Sequence, residues 1–203
     1  MASGRFIVFE GIDGCGKSTQ VNRLAAALGA AGRRVTVTAE PTSSPTGRLL
    51  RAALSGSDPR SPSEMAALFT LDRIGHNLAP GGIAETLAAG TDVICDRYYY
   101  SSLAYQGSLC DYEWVRHMNT ACPDIRHPDL CIFLDISPAE ALARIGARGQ
   151  SREIYEKEET LRLFRATFFR VFSSLPDRVA VVDAAGTPEA VEARVLAAVR
   201  EIL

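Results

Sequence analysis

A glycine-rich stretch near the start of the chain carries residue types that can bind phosphate. Gly11 and Gly16 have four residues between them, and Lys17 and Ser18 follow directly. This is the spacing of a P-loop, in which small residues let backbone N–H groups turn towards phosphate oxygens without Cβ clashes. In such loops the lysine reaches the outer phosphates of a nucleoside triphosphate, and the serine hydroxyl holds Mg²⁺. The stretch therefore predicts a nucleotide site.

The segments on both sides of this stretch support that interpretation. Residues 6–9 are apolar and read as a strand, and a helical apolar pattern runs from Val21 to Leu28. The helix would point its free N–H groups and the positive end of its dipole at the phosphates. The alternative is a chance match in an ordinary strand–turn–helix, which the scarcity of lysine, present only at positions 17 and 157, makes rarer.

A second group with chemical potential lies at the end of a later strand. Asp96 and Arg97 follow the short apolar run that begins at Asp92. A strand-end carboxylate can hold Mg²⁺, and a planar guanidinium beside it can bind two phosphate oxygens at once. The alternative is an aspartate that caps the turn beside an exposed arginine. We assign no role to Asp92.

Three arginines with helical spacing form a third group. Arg144, Arg148 and Arg152 recur every four residues around Gly146 and Gly149. A helix here would carry an ordinary solvated basic face. Two glycines within so short a stretch argue against a rigid helix, and arginines on a hinged segment suit a lid that closes over phosphates. We therefore predict a lid at about residues 146–156.

Composition bounds the class of protein. With 203 residues, 47% of them hydrophobic and 23% charged, the chain suits one α/β domain, residues 1–203, and its composition is typical of a globular rather than a disordered protein. A net charge of −2 gives no general attraction to nucleic acid. No apolar run is long enough to span a membrane, the start of the chain resembles no signal peptide, and the cysteines form no C-x-x-C pair. We expect a cytoplasmic protein with reduced thiols, and no membrane or nucleic-acid polymer as partner.

Strands and helices alternate along the chain. The strands are expected at residues 6–10, 34–38, 92–96, 130–136 and 178–183, and a loop to Gly47 is expected to precede a short helix from about Leu49 to Leu54. Right-handed crossovers then give an α/β, P-loop NTPase three-layer fold, with a five-stranded parallel sheet between helices. The P-loop, Asp96 and Glu40 should meet at the carboxyl ends of the strands.

With these motifs in view, the chain resembles the thymidylate kinases (dTMP kinases) along nearly its whole length. The matching pieces are Phe9–Gln20, Glu40–Pro41, Leu68–Phe69 with Arg73, Asp96–Tyr98 with Ser101, Ala104–Gly107, Arg148–Glu156 and Val182–Ala184. The P-loop is shared by many nucleotide-binding proteins, whereas the segment from Asp96 to Gly107 is much more specific.

The resemblance implies a role for each matching residue. The ATP site would comprise Gly11, Asp13, Gly14, Cys15, Gly16, Lys17, Ser18, Thr19 and Arg144, with Arg144 against adenine. The dTMP site would comprise Asp13 at the 3′-hydroxyl, Phe69 stacked on thymine, Arg73 at O4, Ser101 near N3, Arg97 at the phosphate, and Tyr98 or Tyr105 excluding a 2′-hydroxyl. The catalytic groups would be Asp13, Lys17, Arg97, Arg148 and Arg152, and Ser18 and Asp96 would hold Mg²⁺. Spacing alone also allows Phe69 in the core and Arg73 on the surface.

Two positions bear on the form of the site. The family places its transition-state cation either within the P-loop or in the lid; position 14 is glycine, which implies the lid form with Arg148 and Arg152. Many bacterial members have arginine before the Glu-Pro pair, where this chain has Ala39. Thr42, Ser43 or Arg48 are candidates to compensate.

The expected activity is transfer of the γ-phosphate of ATP to dTMP, giving ADP and dTDP on the route to dTTP, with Mg²⁺ as cofactor. Like its relatives, the protein would be a homodimer. The alternatives are another P-loop small-molecule kinase, acting on UMP, CMP or a deoxynucleoside, or a P-loop regulatory ATPase.

Overall fold

One parallel sheet forms the centre of the molecule. The computed structural model describes residues 3–147 and 158–203, and its strands are β1 (Phe6–Glu10), β2 (Val35–Ala39), β3 (Asp92–Asp96), β4 (Leu130–Asp135) and β5 (Val179–Asp183). They pair in the order β2-β3-β1-β4-β5, and every pair is parallel. The predicted five-stranded parallel sheet is confirmed.

Nine helices of the described chain surround this sheet. They are α1 (Lys17–Ala30), α2 (Pro45–Leu54), α3 (Pro62–Leu78), α4 (Ile83–Ala88), α5 (Tyr99–Tyr105), α6 (Tyr112–Thr120), α7 (Pro138–Ala147), α8 (Glu158–Ser173) and α9 (Pro188–Arg200). A 3₁₀ turn, Gln106–Ser108, continues α5. No helix among these is both long and apolar enough to cross a membrane.

The strand order places the P-loop at the switch point of the sheet. The five residues of β1 are all buried, and β1 pairs with β3 on one side and β4 on the other. Because the chain moves in opposite directions from β1 to build the two halves, a crevice opens beyond the carboxyl end of this strand. The edge strands carry exposed side chains such as Val37 and Val181.

Two helix boundaries differ from the sequence predictions. Helix α2 begins at Pro45, so the predicted loop to Gly47 is wrong: the Ser44 hydroxyl accepts a hydrogen bond from the Gly47 N–H, and proline suits the first helical position. Helix α7 continues through Gly146 to Ala147, although two glycines were expected to break a helix here, and residues 148–156 of the predicted lid lie outside the described residues. A single glycine is tolerated inside a helix at a modest cost.

Asp92 ties together three strands at the end of the sheet opposite the crevice. Its carboxylate accepts from the Arg5 N–H (2.8 Å) and pairs with Arg33 (2.5 and 2.8 Å), which precedes β2. Burial disfavours the charged carboxylate, but the hydrogen bonds from Arg33 and Arg5 outweigh this, and the pKa of Asp92 lies below its ordinary value. Asp92 therefore has a structural role.

Asp92→Asn should lower the free energy of unfolding by about 2 kcal/mol, because hydrogen bonds between charged groups are lost at a buried position. Asp58→Asn, which breaks an exposed pair with Arg60, is the matched control and should cost at most about 1 kcal/mol. Since the folded-state pKa of Asp92 is lowered, its stabilisation is present above the unfolded-state pKa of about 3.8 and lost as the pH falls through the folded-state value. Urea unfolding at pH 7 and pH 3 measures this, and equal losses in both variants at pH 7 would refute the assignment.

Candidate active site

The P-loop needs glycine at position 14 for two reasons. Gly14 has φ +83°, in the left-handed region, and a Cβ there would lie 2.4 Å from the Ala141 carbonyl oxygen of α7. A side chain at this position would therefore strain the loop and displace the helix that leads to the predicted lid. The P-loop of this chain has no room for a cation at position 14.

The Lys17 side chain folds back across the P-loop to the residues at its start. Its side chain is 8% exposed, and Nζ donates to the carbonyl oxygens of Gly11 (3.0 Å) and Ile12 (3.4 Å). Asp13 Oδ1 is 3.9 Å from Nζ. This placement holds the ammonium group at the mouth of the crevice.

Ser18 and Asp96 meet across the crevice. Ser18 Oγ donates to Asp96 Oδ2 at 2.9 Å, although the two residues are far apart in sequence. The hydroxyl belongs to the first turn of α1, and the carboxylate ends β3. Hydroxyl and carboxylate oxygens are ligands that Mg²⁺ prefers, and Mg²⁺ is commonly held by one or two carboxylates together with substrate phosphates. The pair fits such a metal.

Arg97 adopts a backbone conformation that is unusual for its residue type. Its φ is +69°, the one positive value among the described residues that are not glycine. The side chain forms an ion pair with Asp13, donates from Nη1 to Ser101 Oγ (3.0 Å), and lies over the Tyr105 ring at 5.5 Å. Strained backbone of this kind concentrates at functional sites. The alternative of an exposed arginine is wrong, since the side chain is only 21% exposed.

The groups around Arg97 stabilise the charged form of its guanidinium. Burial acts to lower the pKa of the guanidinium, but Asp13 above all, and then Tyr105 and Glu10, favour its charged form, so the pKa lies well above its ordinary value. Arg97 is therefore a fixed cation at the site.

A pocket of about 520 Å³ opens between the P-loop and the segment after β2. Its walls are Asp13, Gly14, Gly16, Lys17, Ser18, Thr19, Ala39, Glu40, Pro41, Arg51, Asp96 and Arg97. The sequence-predicted P-loop residues and the Asp96–Arg97 turn are thus brought together. Cys15 instead turns its side chain into the core, where burial raises the pKa of its thiol.

Arg51 is a pocket cation that sequence reasoning missed. It extends from α2 and donates to the carbonyl oxygens of Pro41 and Thr42. The proposed substitutes for an arginine at position 39 lie differently: Arg48 is exposed and donates to the Ser43 carbonyl oxygen, and the Thr42 hydroxyl donates to Asp72 (2.6 Å). Arg48 and Arg51 are three residues apart on α2, so the sequence did offer both as candidate cations. Which of them faces the pocket depends on where the helix begins, and that boundary was predicted wrongly.

Arg73 is 1% exposed, so the alternative of a surface residue is wrong. Its guanidinium pairs with Glu40 (2.6 Å), donates to Ser102 Oγ (3.2 Å) and to Asn119, and stands over the Tyr98 ring at 5.1 Å. Glu40 also contacts His76 Nδ1 at 3.0 Å. Arg73 is therefore oriented by a buried polar network.

The remaining predicted residues of the described chain are not walls of the pocket. Phe69 is half-buried beside a small apolar cluster between α2 and α3. Tyr98 is fully buried, and its hydroxyl accepts from Asn77 (2.8 Å), whereas Tyr105 lies directly beneath Arg97. Arg144 donates to the Cys15 (3.3 Å) and Ala184 (2.9 Å) carbonyl oxygens, bridging the P-loop and the segment after β5. Arg148 and Arg152 lie outside the described residues.

A P-loop at the switch point of a parallel sheet, with an arginine-bearing turn facing it, defines a P-loop kinase with the nucleoside monophosphate kinase fold. The comparisons with known proteins narrow this class. The family model described as "Thymidylate kinase" matches residues 9–195. The chain belongs to the thymidylate kinase family.

Curated relatives agree along the whole chain. It is 40% identical to the thymidylate kinase of Cereibacter sphaeroides, over 100% of this chain and 97% of the relative. It is 39% identical to that of Geobacter sulfurreducens, over 89% of each chain. The solved structure of the thymidylate kinase from Candida albicans matches with a TM-score of 0.84 over 99% of this chain and 93% of that one, and at 24% identity it shows the shared fold. The prediction of a thymidylate kinase is confirmed.

Proposed function

We propose that this protein transfers the γ-phosphate of ATP to dTMP, giving ADP and dTDP, by direct in-line displacement. The observation that carries the proposal is the convergence of Lys17, Arg51 and Arg97 on one pocket beside the P-loop. Two phosphate-bearing substrates bring negative charge to one point, and phosphoryl transfer depends mainly on positioning and on neutralising that charge.

The donor side of the site comprises the P-loop and α7. Backbone N–H groups of the loop and the N-terminus of α1 would hold the triphosphate, with Lys17 at its outer phosphates. Arg144 would lie against adenine. Mg²⁺, held by Ser18 and Asp96, would neutralise charge between the phosphates when bound. Arg148 and Arg152 would add positive charge from the lid.

The acceptor side comprises the Asp96–Arg97 turn and the segment after β2. Arg97 and Arg51 would hold the dTMP phosphate, and Asp13 would accept from the 3′-hydroxyl. Phe69, Arg73 and Ser101 would contact thymine. Both tyrosines considered for excluding a 2′-hydroxyl are buried, but Tyr105 is the better supported, because its ring lies against Arg97 whereas that of Tyr98 lies against Arg73.

The charges also bear on the rival acceptors. A hydroxyl acceptor, as in a deoxynucleoside, needs a base to take its proton, whereas a phosphate acceptor needs cations. The pocket offers two arginines besides Lys17, and Asp13 is ion-paired with Arg97. This arrangement supports a phosphate acceptor.

A panel of acceptors tests the proposal. ADP release is measured with dTMP, dUMP, UMP and thymidine, and without acceptor, each with Mg²⁺ and with EDTA. We expect the highest kcat/KM with dTMP and no turnover in EDTA. Equal rates with UMP or thymidine would contradict the specificity, and ADP release that needs no acceptor would favour a regulatory ATPase.

Arg51→Ala should raise the KM for dTMP about tenfold, because one charged hydrogen bond to the acceptor phosphate is worth about 1.5 kcal/mol. The KM for ATP should change little. Arg48→Ala is the matched control, since Arg48 lies on the same helix and is directed to Ser43. Steady-state kinetics with both substrates measure this, and a larger effect at Arg48 than at Arg51 would refute the assignment.

The homodimer and the cytoplasmic location remain proposals. Leu71 and Leu78 are both 56% exposed on α3, and their spacing of seven places them on one face of the helix. A second copy of the chain would cover such a face. Sedimentation equilibrium distinguishes a dimer from a monomer, and Leu71→Glu should shift that equilibrium to the monomer.

A further inference from the structure

Glu10 is a fully buried carboxylate that the proposed chemistry does not use. It ends β1, a strand otherwise composed of apolar residues, and is 0% exposed. It is not a wall of the pocket. An unexplained buried carboxylate beside a P-loop is costly, because burial disfavours charge. Its hydrogen bonds show which part of the molecule it serves.

Within the described chain, the donors that Glu10 accepts from belong to Tyr98 and Ser101, which follow Arg97 at the start of α5. Oε1 accepts from the backbone N–H groups of Tyr98 (2.9 Å) and Ser101 (3.1 Å). Oε2 accepts from Ser101 Oγ at 2.7 Å. The carboxylate thus holds both the backbone and a side chain of the segment that follows β3.

That segment contains the strained residue. Arg97 has φ +69°, a conformation that costs free energy for any residue with a Cβ and persists only when its surroundings impose it. The Arg97 N–H is held by the Phe9 carbonyl oxygen (2.9 Å), and the next N–H is held by Glu10. The end of β1 therefore fixes the turn on both sides of the strained residue.

The side chains extend this link into the pocket. Ser101 Oγ donates to Glu10 and accepts from Arg97 Nη1 (3.0 Å), so carboxylate, hydroxyl and guanidinium form one chain of hydrogen bonds. The direction of the chain is set by Arg97: a guanidinium can only donate, so the Ser101 hydroxyl accepts from it and gives its own hydrogen to Glu10. A lone pair of the Ser101 hydroxyl oxygen therefore points to the Arg97 guanidinium and helps to hold it in place.

We propose that Glu10 is a positioning residue for phosphoryl transfer: through Ser101 and the backbone of the turn, it holds the Arg97 guanidinium in the pocket. The proposal rests on the proposed function, in which Arg97 binds the acceptor phosphate. Glu10 touches no substrate. Its effect is on kcat, because a misplaced guanidinium no longer aligns the acceptor phosphate with the γ-phosphate.

The charge of Glu10 separates this role from a merely structural one. Burial raises the pKa of Glu10, against the opposing influence of Arg97 and of the hydrogen bonds from Ser101 and Tyr98. The surroundings of Glu10 therefore disfavour its charged form. Replacing the carboxyl group with an amide removes that disfavoured charge while it disturbs Ser101 and Arg97. Activity and stability need not fall together.

The test compares Glu10→Gln with Asp177→Asn. Glutamine keeps an acceptor for the two N–H groups but presents an amide donor to Ser101, whose hydroxyl loses its acceptor. Asp177 is the matched control, because its carboxylate (5% exposed) accepts from the hydroxyls of Tyr99 (2.6 Å) and Tyr100 (2.9 Å) on the same helix, α5, away from the pocket. Melting temperature, kcat, and KM for ATP and dTMP are measured for the full chain.

We expect Glu10→Gln to lower kcat by about 10- to 100-fold, as misplacing a reacting group by about 1 Å does, with KM for ATP within about threefold. Its melting temperature should fall no further than that of Asp177→Asn, which keeps its kcat. Ser101→Ala breaks the same chain by one hydroxyl and should also lower kcat. Because Ser101 is itself proposed to contact thymine, loss of that contact is seen in the KM for dTMP, and the fall in kcat is the readout that decides if Glu10→Gln does not fold.

Two results would overturn the proposal. A kcat within about twofold of wild type in the folded Glu10→Gln protein, or in Ser101→Ala if Glu10→Gln does not fold, would remove Glu10 from the positioning of Arg97. An equal loss of kcat in Asp177→Asn would show that general loosening of α5 is responsible. Wild-type protein that does not phosphorylate dTMP would contradict the proposed function itself, and is seen before any variant is compared.

Discussion

Lys17→Ala should lower kcat with dTMP by at least about 10³-fold, a loss of about 4 kcal/mol of transition-state stabilisation. Lys17 is buried, and its ammonium group is held by the Gly11 and Ile12 carbonyl oxygens, beside the pocket in which we propose that negative charge develops. Such a preorganised cation costs no reorganisation during the reaction, so water cannot replace it. Single-turnover measurement of dTDP formation isolates the chemical step.

The control for Lys17 is a cation remote from the site. Arg178→Ala removes an exposed pair with Glu201 (2.5 Å) next to the amino end of β5, opposite the crevice, and should leave kcat unchanged. Circular dichroism confirms that both variants are folded. Near-normal phosphorylation of dTMP by Lys17→Ala would remove this residue from the mechanism.

Arg97 gives the second large expected effect. Arg97→Gly should lower kcat by about 10³-fold while preserving the fold, since glycine adopts a φ of +69° without strain. Arg97→Lys should recover little activity, with kcat still reduced by about 100-fold, because an ammonium group lacks the planar fork that spans Asp13 and Ser101 and binds two oxygens at once. Steady-state kinetics and thermal unfolding are measured on both variants.

The two Arg97 variants separate chemistry from folding. Arg97→Gly that melts near the wild-type temperature and is inactive supports a direct role of the guanidinium. If Arg97→Lys instead retains kcat within about threefold, a point charge suffices, and the account of bidentate binding by Arg97 is wrong.

Local patterns predicted most of the fold. The buried strands β1, β3 and β4 are mainly apolar runs, and Ser61 with Glu64 forms a capping box, a pattern that is readable in sequence, at the start of α3. Strong short-range signals of this kind depend only on neighbouring residues. The start of α2 was missed because Ser44 and Pro45 are equally typical of a loop.

The parts of the site that could not be predicted depend on contacts between distant segments. Glu10 interrupts an apolar strand, but its partners Tyr98 and Ser101 are far away in sequence. The side of α2 from which Arg51 reaches the pocket follows from the packing of α2 on α3. The left-handed backbone conformation of Arg97 could not be predicted from the spacing of apolar residues, because the strands around Arg97 impose it.

At position 39 this chain has alanine where many bacterial members of the family have arginine. The sequence left Thr42, Ser43 and Arg48 as candidates to replace a missing arginine. The structure places Arg51 in the pocket wall together with Ala39, while Asp72 binds the Thr42 N–H (2.7 Å) and hydroxyl. A positive charge therefore lies in the pocket wall without an arginine at position 39.

The most direct test of the account follows the γ-phosphate itself. The protein is mixed with dTMP, Mg²⁺ and ATP labelled in the γ-phosphate, and the label in dTDP, in inorganic phosphate and on the protein is counted against ADP formed. Direct transfer predicts one labelled dTDP for each ADP, with none on the protein. Label recovered as inorganic phosphate, or retained on the protein, would contradict the central claim.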